Sequence, residues 1–278
     1  MEVCLPEPGW RALLGRDELL ELGHALRSDG RRTTNLLIGN RRISDAAEAG
    51  LLCTRSDDPG GVILFEDRGA RRVYFIQTSA DAAVAALGDG SAAFGRDTVA
   101  DVTGRDGQFA IFDDIFLRSG FRFYKCFRRM SRRPAEVGLI DESAVRALKA
   151  DSDVSAVHTM IDAVFDPLAE FMPDVAELQA LLHCGGILIA MGQAGALGGF
   201  LAYETIGATS LLRYVAVDPE ERGKGIGGQL IARYLHDTQQ ALRHDLWVWE
   251  RNEAAIKHYV ANGFAFTGQC NMIYRFEE

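Results

Sequence analysis

A glycine-rich segment near the C-terminus constrains the fold of this chain more than any other feature. Residues 217–230, VDPEERGKGIGGQL, follow an apolar stretch at 211–217 that is typical of a β-strand. They lead into an amphipathic stretch, from Ile226 onward, that is typical of a helix. Glycines at the start of a helix let successive backbone N–H groups come close to an anion. The segment therefore predicts a strand, a glycine loop (residues 222–228) and a helix that together hold a phosphate-bearing ligand.

Two motifs overlap in the glycine loop. Gly223, Gly225 and Gly228 fit G-x-G-x-x-G, the fingerprint of a dinucleotide-binding fold. That fold needs a strand that ends directly at the first glycine, and here residues 218–222 intervene. Glu250, however, follows Gly228 at the distance where that fold places its ribose-binding acid. Spacing alone leaves a NAD-type oxidoreductase open, and a loop without a ligand is a further alternative.

The second motif is R-x-x-G-x-G, formed by Arg222, Gly225 and Gly227 after the strand LLRYVAV and the turn DP. A further motif lies downstream in VWERNEAAIKHYVANGF, and its residues are Asn252, Ala255, Tyr259, Gly263 and Phe264. In this order and at this spacing, the two motifs resemble those of the GNAT superfamily of N-acyltransferases. The resemblance covers residues 144–278.

The resemblance implies an α/β (α+β) fold in which a mixed, mostly antiparallel central sheet is flanked by helices. The N-terminal half repeats the order of predicted elements, and IFLRSGFRF (115–123) aligns with HYVANGFAF (258–266) at a constant offset. We therefore predict tandem GNAT-like domains, with the boundary in the charged, proline-containing segment 131–143. The predicted domains are 1–133, degenerate GNAT-like or accessory, and 134–278, the catalytic acetyltransferase domain.

The N-terminal half lacks residues that the chemistry needs. Its strand-to-helix segment VYFIQTSADAAV contains neither glycine nor arginine. At the same offset, Phe116 stands where the second half has Tyr259, and Phe109 stands where it has Asn252. This domain is expected to bind no CoA and to shape the substrate cleft or an interface. An unrelated α/β domain is the alternative.

Acetyl-CoA, as a co-substrate, is the ligand that the resemblance implies for the glycine loop. Its pyrophosphate would meet backbone N–H groups at the helix start, with added positive charge from arginine and lysine. A backbone N–H on the preceding strand would polarise the thioester carbonyl. The residues implied for binding are Val215, Ala216, Val217, Arg222, Gly223, Lys224, Gly225, Ile226, Gly227, Asn252 and Ala255.

Tyr259 matches the family's general acid. A phenol, with a pKa of about 10, can protonate a departing thiolate whose thiol has a pKa of about 8.5. Packing against the sheet is the alternative role. The base is open, because Leu211 stands where several members of the family carry an acid. Glu204, Glu250 and Tyr214 are the candidates to deprotonate the amine, directly or through water, and each also suits an ordinary surface or core role.

The composition restricts the expected partners. The net charge is −9, from 30 basic and 39 acidic residues, which argues against a general nucleic-acid binder and favours cationic partners such as amines. The five cysteines form no C-x-x-C pair and no spacing with histidine typical of zinc, so we expect no metal and a cytoplasmic location. The most apolar stretch, 185–203, is interrupted by Gln193 and glycines, and the N-terminus does not resemble a signal peptide, so no membrane contact is expected.

We therefore predict an acyl-CoA-dependent N-acyltransferase, with acetyl as the expected group, in which a small-molecule or peptide amine attacks the thioester directly. A homodimer is left open. Because the base position is not filled, the alternative from another class is a non-catalytic acyl-CoA sensor or interaction module. The identity of the amine is expected to depend on the shape of the loop DPLAEFMP at 166–173.

Overall fold

The structure is a computed structural model of the 278-residue chain. It describes residues 9–13, 17–18, 21, 33–36, 43, 46–57, 60–134, 144–149, 154–183 and 186–277. Two compact units are formed. The first unit lies within Met1–Cys126, Pro167–Phe171 and Gln269–Glu278, and the second lies within Phe127–Asp166 and Met172–Gly268. Most of the predicted boundary segment, residues 135–143, lies outside the described residues.

The first unit is built on a mixed sheet. Its strands are β1 (Arg11–Ala12), β2 (Thr33–Thr34), β3 (Leu52–Asp57), β4 (Gly60–Asp67), β5 (Ala70–Gln77), β6 (Thr98–Arg105) and the last part of β13 (Ala265–Phe276). They lie in the order β1-β3-β4-β5-β6-β13. Neighbours are antiparallel except for the parallel pair β5–β6, and β2 is also antiparallel to β5.

Side chains of the first unit divide between the two faces of this sheet. Helices α1 (Ala80–Asp89) and α2 (Ala110–Arg118) follow β5 and β6. Alternation along β5 directs Val73 and Phe75 into the core beneath these helices. Tyr74 and Ile76 point to the opposite face and join a second apolar cluster there. Both faces of β5 are therefore buried.

The second unit repeats this arrangement. Its elements are the last part of β7 (Phe121–Arg132), β8 (Arg146–Ala147), α3 (Val154–Val164), α4 (Val175–His183), β9 (Ile187–Met191), β10 (Leu197–Ile206), β11 (Thr209–Val217), α5 (Ile226–Asp237), β12 (Arg243–Trp249) and α6 (Glu253–Ala261). The strand order is β7-β12-β11-β10-β9-β8, and of these pairs β11 with β12 is the parallel one. Helices α5 and α6 cover one face of the sheet, and α3 and α4 cover the other.

Each unit receives its last strand from the other half of the sequence. β7 follows α2 along the chain, yet its residues 127–132 pair with β12 of the second unit. β13 follows α6, yet its residues 269–275 pair with β6 of the first unit. The predicted division after residue 133 gives two contiguous ranges, whereas the compact units exchange their last strands and place Pro167–Phe171 in the first unit. Strand pairing joins residues that are far apart in sequence. The alternation of apolar and polar residues predicts that a segment is a strand, but it does not predict which strand pairs with it.

The described elements agree with the predicted fold class. Both units have three antiparallel strands, a helix, a parallel strand, a second helix and a final antiparallel strand. Helices α2 and α6 are both nine residues long, and their first residues, Ala110 and Glu253, have the same offset as the two aligned sequence segments. The predicted fold, a mixed and mostly antiparallel sheet flanked by helices in tandem, is confirmed.

Candidate functional site

The site of the second unit begins at a bulge in β11. Ala202 of β10 faces Tyr214, but the next residue along, Tyr203, faces Leu212, so Arg213 is an extra residue in β11. Bulges bend a strand and interrupt its ladder of hydrogen bonds. The parallel pairing of β11 with β12 ends at Leu212 and Leu246, although both strands continue. A gap therefore opens between the two strands just before the glycine loop.

The glycine loop joins this gap to the N-terminus of α5. Gly223 and Gly225 have φ angles of 80° and 85°, in the left-handed region that favours glycine. A Cβ atom on Gly223, Gly225 or Gly228 would meet no described atom within 4 Å, so these glycines border open space. Gly225 is the N-cap of α5, and no side chain of the described residues caps the helix there. The backbone N–H groups of the first turn, at Ile226 and Gly227, are therefore available to an anion.

Charged side chains surround the glycine loop. Lys224 Nζ lies 3.0 Å from Glu221 Oε2, and Glu221 Oε1 accepts a hydrogen bond of 3.1 Å from the backbone N–H of Gln193. The contact with Gln193 and then that with Lys224 lower the pKa of the Glu221 carboxyl. Arg222 is exposed, and its Nε is 3.5 Å from the carbonyl oxygen of Val217. Among the described residues Arg222 has no carboxylate partner, so its charge is not neutralised by a neighbouring acid.

The three strand residues predicted for the cofactor line the gap after the bulge. Val215 and Val217 pack on the side of α5 and α6, whereas Ala216 lies in the core beneath α3 and α4. Within the described part of the chain, this end of β11 has no partner strand on the side of β12. Ile226, also predicted, is 7% exposed and anchors the first turn of α5 in the core.

Tyr259 lies in the core on the side of α5 and α6. The side chain is 4% exposed, and its ring meets that of Phe264 edge-on at 5.9 Å between centroids. It belongs to the same apolar cluster as Val215, Val217 and Ala255, so it lies on the face of the sheet that carries the glycine loop. Both the predicted acid role and the packing role are compatible with this location.

Asn252 and Ala255 contact each other at the start of α6. The side chain of Asn252 is the N-cap, and its Oδ1 accepts a hydrogen bond of 3.1 Å from the backbone N–H of Ala255. An asparagine cap satisfies one of the free N–H groups of a helix start. The structure thus gives these two residues a capping role, and their contact with a cofactor stays a prediction.

The candidate bases are not brought together. Glu204 accepts a hydrogen bond of 2.5 Å from Nη1 of Arg213, the bulge residue. Glu250 is exposed in the turn after β12. Tyr214 is 6% exposed on the opposite face from Tyr259, and its ring meets Phe165 edge-on at 5.4 Å. The bulge and the Arg213–Glu204 pair have no signal in the sequence.

The corresponding gap in the first unit is filled by its own chain. Pairing between β5 and β6 ends at Arg72 and Val99, and β2 then pairs with the end of β5. The side-chain amide of Asn35 donates to the carbonyl oxygens of Val73 and Asp101, both at 3.1 Å, and accepts from the backbone N–H of Phe75 at 2.8 Å. Asn35 is 1% exposed. This residue and β2 occupy the space that is open in the second unit.

The start of α1 also differs from the start of α5. Ser79 is the N-cap of α1, and its hydroxyl accepts a hydrogen bond of 3.1 Å from the backbone N–H of Ala82. The pairing of β4 with β5 is regular, whereas β11 carries an extra residue. The first unit therefore has a capped helix, a regular strand and a filled gap.

Comparisons with known proteins agree with this architecture. An acetyltransferase of the GNAT family from Colwellia psychrerythraea superposes with a TM-score of 0.57 at 14% identity, over 96% of this chain and 99% of that one. A tandem GNAT protein from the clavulanic acid biosynthesis pathway superposes with a TM-score of 0.56 at 16% identity, over 95% and 97%. A GCN5-related N-acetyltransferase from Sphaerobacter thermophilus gives 0.56 at 14% identity, over 81% and 79%. No curated protein matches the chain in sequence.

In the second unit, splayed parallel strands lie beside a glycine loop and an uncapped helix in an α/β fold. Residues 183–265 match the family model described as an acetyltransferase (GNAT) domain. Residues 183–265 therefore carry a domain of the GNAT acetyltransferase family, as the motifs in this segment predicted. Among the described residues no cluster of His, Cys, Asp or Glu could hold a metal ion. No helix in the same part of the chain has the length and apolarity to cross a membrane.

Proposed function

We propose that the second unit transfers an acyl group, acetyl in the expected case, from acyl-CoA to an amine by direct attack in a ternary complex. The observation that carries the proposal is the bulge at Arg213, which opens the gap between β11 and β12 directly before the glycine loop. The family match supports the class of reaction. The expected cytoplasmic location and the amine partner belong to the same proposal.

The residues present fit acetyl-CoA. The pyrophosphate would be held by the N–H groups at the start of α5 and by Arg222, because an uncapped helix N-terminus and a cation both favour negative charge. The glycines of the loop leave the space that phosphates need, since a Cβ on Gly225 or Gly228 would project into it. The backbone of Val215–Val217 would hold the part of the ligand that leads to the thioester. When bound, acetyl-CoA supplies the electrophilic carbonyl.

The chain itself would supply polarisation and a proton. Backbone N–H groups after the bulge are held in place by the strand. They can therefore stabilise the negative charge that develops on the carbonyl oxygen without first having to reorient. The hydroxyl of Tyr259 would donate its proton to the departing thiolate, because a phenol at a pKa of about 10 and a thiol at about 8.5 are close enough for efficient transfer. Both groups are on the face of the sheet covered by α5 and α6.

Two carboxylates are candidates for the base, and their surroundings differ. Glu204 is paired with Arg213, so its carboxylate is engaged unless that pair opens. Glu250 is exposed after β12, where a water molecule has access to it. A second candidate function follows from the occupied Glu204 and from Leu211 at the family's base position. In that case the unit binds acyl-CoA as a sensor and does not turn it over.

Calorimetry with acetyl-CoA tests the binding site. Gly225→Asp places a carboxylate at the N-cap of α5, where it competes with phosphate for the same N–H groups and repels it. We expect one site per chain in the wild type and a loss of affinity of about tenfold or more in this variant. The matched control is Gly207→Asp, because Gly207 also has a positive φ, of 58°, and open space around it, in the turn between β10 and β11.

Thiol release with a panel of amines separates the enzyme from the sensor. Turnover with one amine class, lost when that amine is omitted, supports acyl transfer. Tight binding of acetyl-CoA without turnover for any amine would favour the sensor. Equal affinity of Gly225→Asp and wild type for acetyl-CoA would remove the glycine loop as the site.

A further inference from the structure

One carboxylate joins the glycine loop to the turn between β9 and β10. Both segments belong to the second unit. Glu221 stands directly before the loop, and its Oε1 accepts a hydrogen bond of 3.1 Å from the backbone N–H of Gln193 in that turn. Oε2 of the same side chain lies 3.0 Å from Nζ of Lys224. Glu221 thus contacts a turn 28 residues away and a cation inside the glycine loop.

The surroundings of Glu221 fix its position. It ends the short 3₁₀ turn Pro219–Glu221, and its own backbone N–H donates to the carbonyl oxygen of Asp218 at 2.9 Å. Its side chain is 12% exposed. A Cβ atom on Gly192 would lie 3.0 Å from Glu221 Oε1, so a glycine at this position leaves room for the carboxylate against the turn. The hydrogen bond from Gln193 then holds the carboxylate there.

Lys224 is the mobile partner of this ion pair. Its side chain is 40% exposed, and its ammonium stands at the end of a flexible four-carbon stem. Among the described residues, Glu221 is the acid that this ammonium contacts. Exposed ion pairs are weak, because water competes for both charges and both side chains lose freedom. Lys224 can therefore leave Glu221 for a more highly charged anion, whereas Glu221 stays in place.

A pyrophosphate at the start of α5 would be such an anion. Lys224 lies two residues before Ile226, whose backbone N–H is one of the free groups of the first turn. A pyrophosphate carries more negative charge than one carboxylate, so it attracts the ammonium more strongly. The fixed carboxylate of Glu221 would then lie near the bound phosphates and repel them. Both effects of Glu221, retention of the ammonium and repulsion, weaken binding.

We propose that Glu221 is a positioning residue of the glycine loop that competes with the pyrophosphate of acyl-CoA for Lys224, and this inference rests on the proposed acyltransferase function. Acyl-CoA and the product CoA carry the same pyrophosphate, so the competition weakens both to the same extent. A limit on the affinity for CoA favours its release after each transfer. The contact with Gln193 keeps the competing carboxylate in place while Lys224 exchanges partners.

Glu221→Gln tests the competition, because glutamine still accepts the hydrogen bond from Gln193 and carries no charge. The affinities for acetyl-CoA and for CoA, measured by calorimetry, should each rise by about 3- to 10-fold. Affinity should also fall more steeply with added salt than in the wild type, since the attraction of Lys224 for phosphate is no longer offset by a carboxylate.

Glu220→Gln is the matched control. It changes the charge by the same amount one residue earlier, in the same turn. Glu220 is exposed, and its backbone N–H, not its carboxylate, makes the contact with Asp218. The affinity of this variant for acetyl-CoA should stay within about twofold of wild type. Equal gains in Glu220→Gln and Glu221→Gln would overturn the inference, because net charge alone would then explain them.

Lys224→Met, alone and combined with Glu221→Gln, completes a double-mutant cycle. If Glu221 competes for the ammonium, loss of Lys224 should weaken acetyl-CoA binding more in the Glu221→Gln background than in the wild type. The excess should be about three- to tenfold, the same factor that Glu221→Gln gains. Equal losses in the two backgrounds would contradict the competition.

Hydrogen exchange without ligand tests the positioning role separately. Glu221→Ala removes the acceptor, so exchange of the Gln193 backbone amide, followed by NMR, should speed up by about tenfold, whereas Glu221→Gln should retain most of the protection. Unchanged exchange in Glu221→Ala would overturn the positioning role, even if acetyl-CoA binds. A wild type that binds no acetyl-CoA would reject the proposed function and the competition with it, while the exchange would still decide whether Glu221 joins the turn to the loop.

Discussion

Arg213 is the residue on which the geometry of the site depends. As the extra residue of β11 it shifts the register with β10, and pairing with β12 ends one residue before it. Its guanidinium is then held by Glu204 across the strand pair. The bulge therefore both opens the gap and occupies one of the candidate bases. Bulges next to active sites commonly redirect backbone groups in this way.

The role of Tyr259 can be tested by removing a single atom, the oxygen of its hydroxyl group. If its hydroxyl protonates the thiolate, Tyr259→Phe keeps the buried ring and its packing on Phe264 and removes only the proton donor. The affinity for acetyl-CoA should stay close to wild type, and kcat should fall by about 10²- to 10⁴-fold, the usual contribution of general acid catalysis. Steady-state kinetics with the acceptor identified by thiol release measure this.

Tyr203→Phe is the control for that variant. Tyr203 is a half-buried tyrosine of the same unit, and its ring packs against Tyr234 at 5.0 Å between centroids. This control should leave kcat near wild type. An unchanged kcat in Tyr259→Phe, under conditions where acyl transfer limits turnover, would assign Tyr259 to packing alone.

At the scale of elements, the strand–glycine loop–helix unit could be predicted because its residues are local in sequence. Two positive φ angles, at Gly223 and Gly225, and the helix that starts at Ile226 are properties of a short segment. The bulge at Arg213 could not be predicted, because nothing in LLRYVAV distinguishes a bulged strand from a regular one. Asn35 was not predicted either, since its partners Val73 and Asp101 are 38 and 66 residues away.

In the first unit, β2 and Asn35 fill the gap between β5 and β6. One substitution can test the contribution of Asn35. Asn35→Ala leaves the N–H of Phe75 and two buried carbonyl oxygens without their partner. Since each hydrogen bond contributes about 1 kcal/mol and unsatisfied buried groups cost more, the free energy of unfolding should fall by roughly 2–4 kcal/mol. Urea denaturation followed by circular dichroism measures it.

Asn262→Ala is the control for Asn35→Ala, because the Asn262 side chain donates to the His258 carbonyl oxygen at the exposed end of α6. Its unfolding free energy should change little. The stoichiometry of acetyl-CoA should stay at one per chain in both variants, because a serine-capped turn, and not a glycine loop, precedes α1. A second acetyl-CoA site in Asn35→Ala, or an unchanged stability, would contradict the role assigned to Asn35.

At the scale of the whole molecule, the exchange of last strands makes each half of the sequence incomplete. The first unit needs residues 269–278 from the C-terminus, which include Tyr274, 1% exposed, against the ring of Phe116 at 4.6 Å. The second unit needs residues 127–132, which pair with residues 244–249 of β12. The sequence predicts two similar halves. The alternation of apolar and polar residues and the motif matches do not predict which sheet the last strand of each half joins.

Truncated chains test this dependence. Residues 134–278 lack the strand that pairs with β12, so an edge of the sheet and the core beneath it are exposed, and this fragment should show no cooperative unfolding transition. Residues 121–278 restore β7 and should recover a cooperative transition and the affinity for acetyl-CoA, since the glycine loop and β12 are then complete. Urea denaturation and calorimetry on both fragments measure these properties, and the fragments differ only in whether the segment 121–133 is present. Equal stability of the two fragments would show that β7 is dispensable for the second unit. The exchange of last strands would then contribute nothing to the stability of that unit.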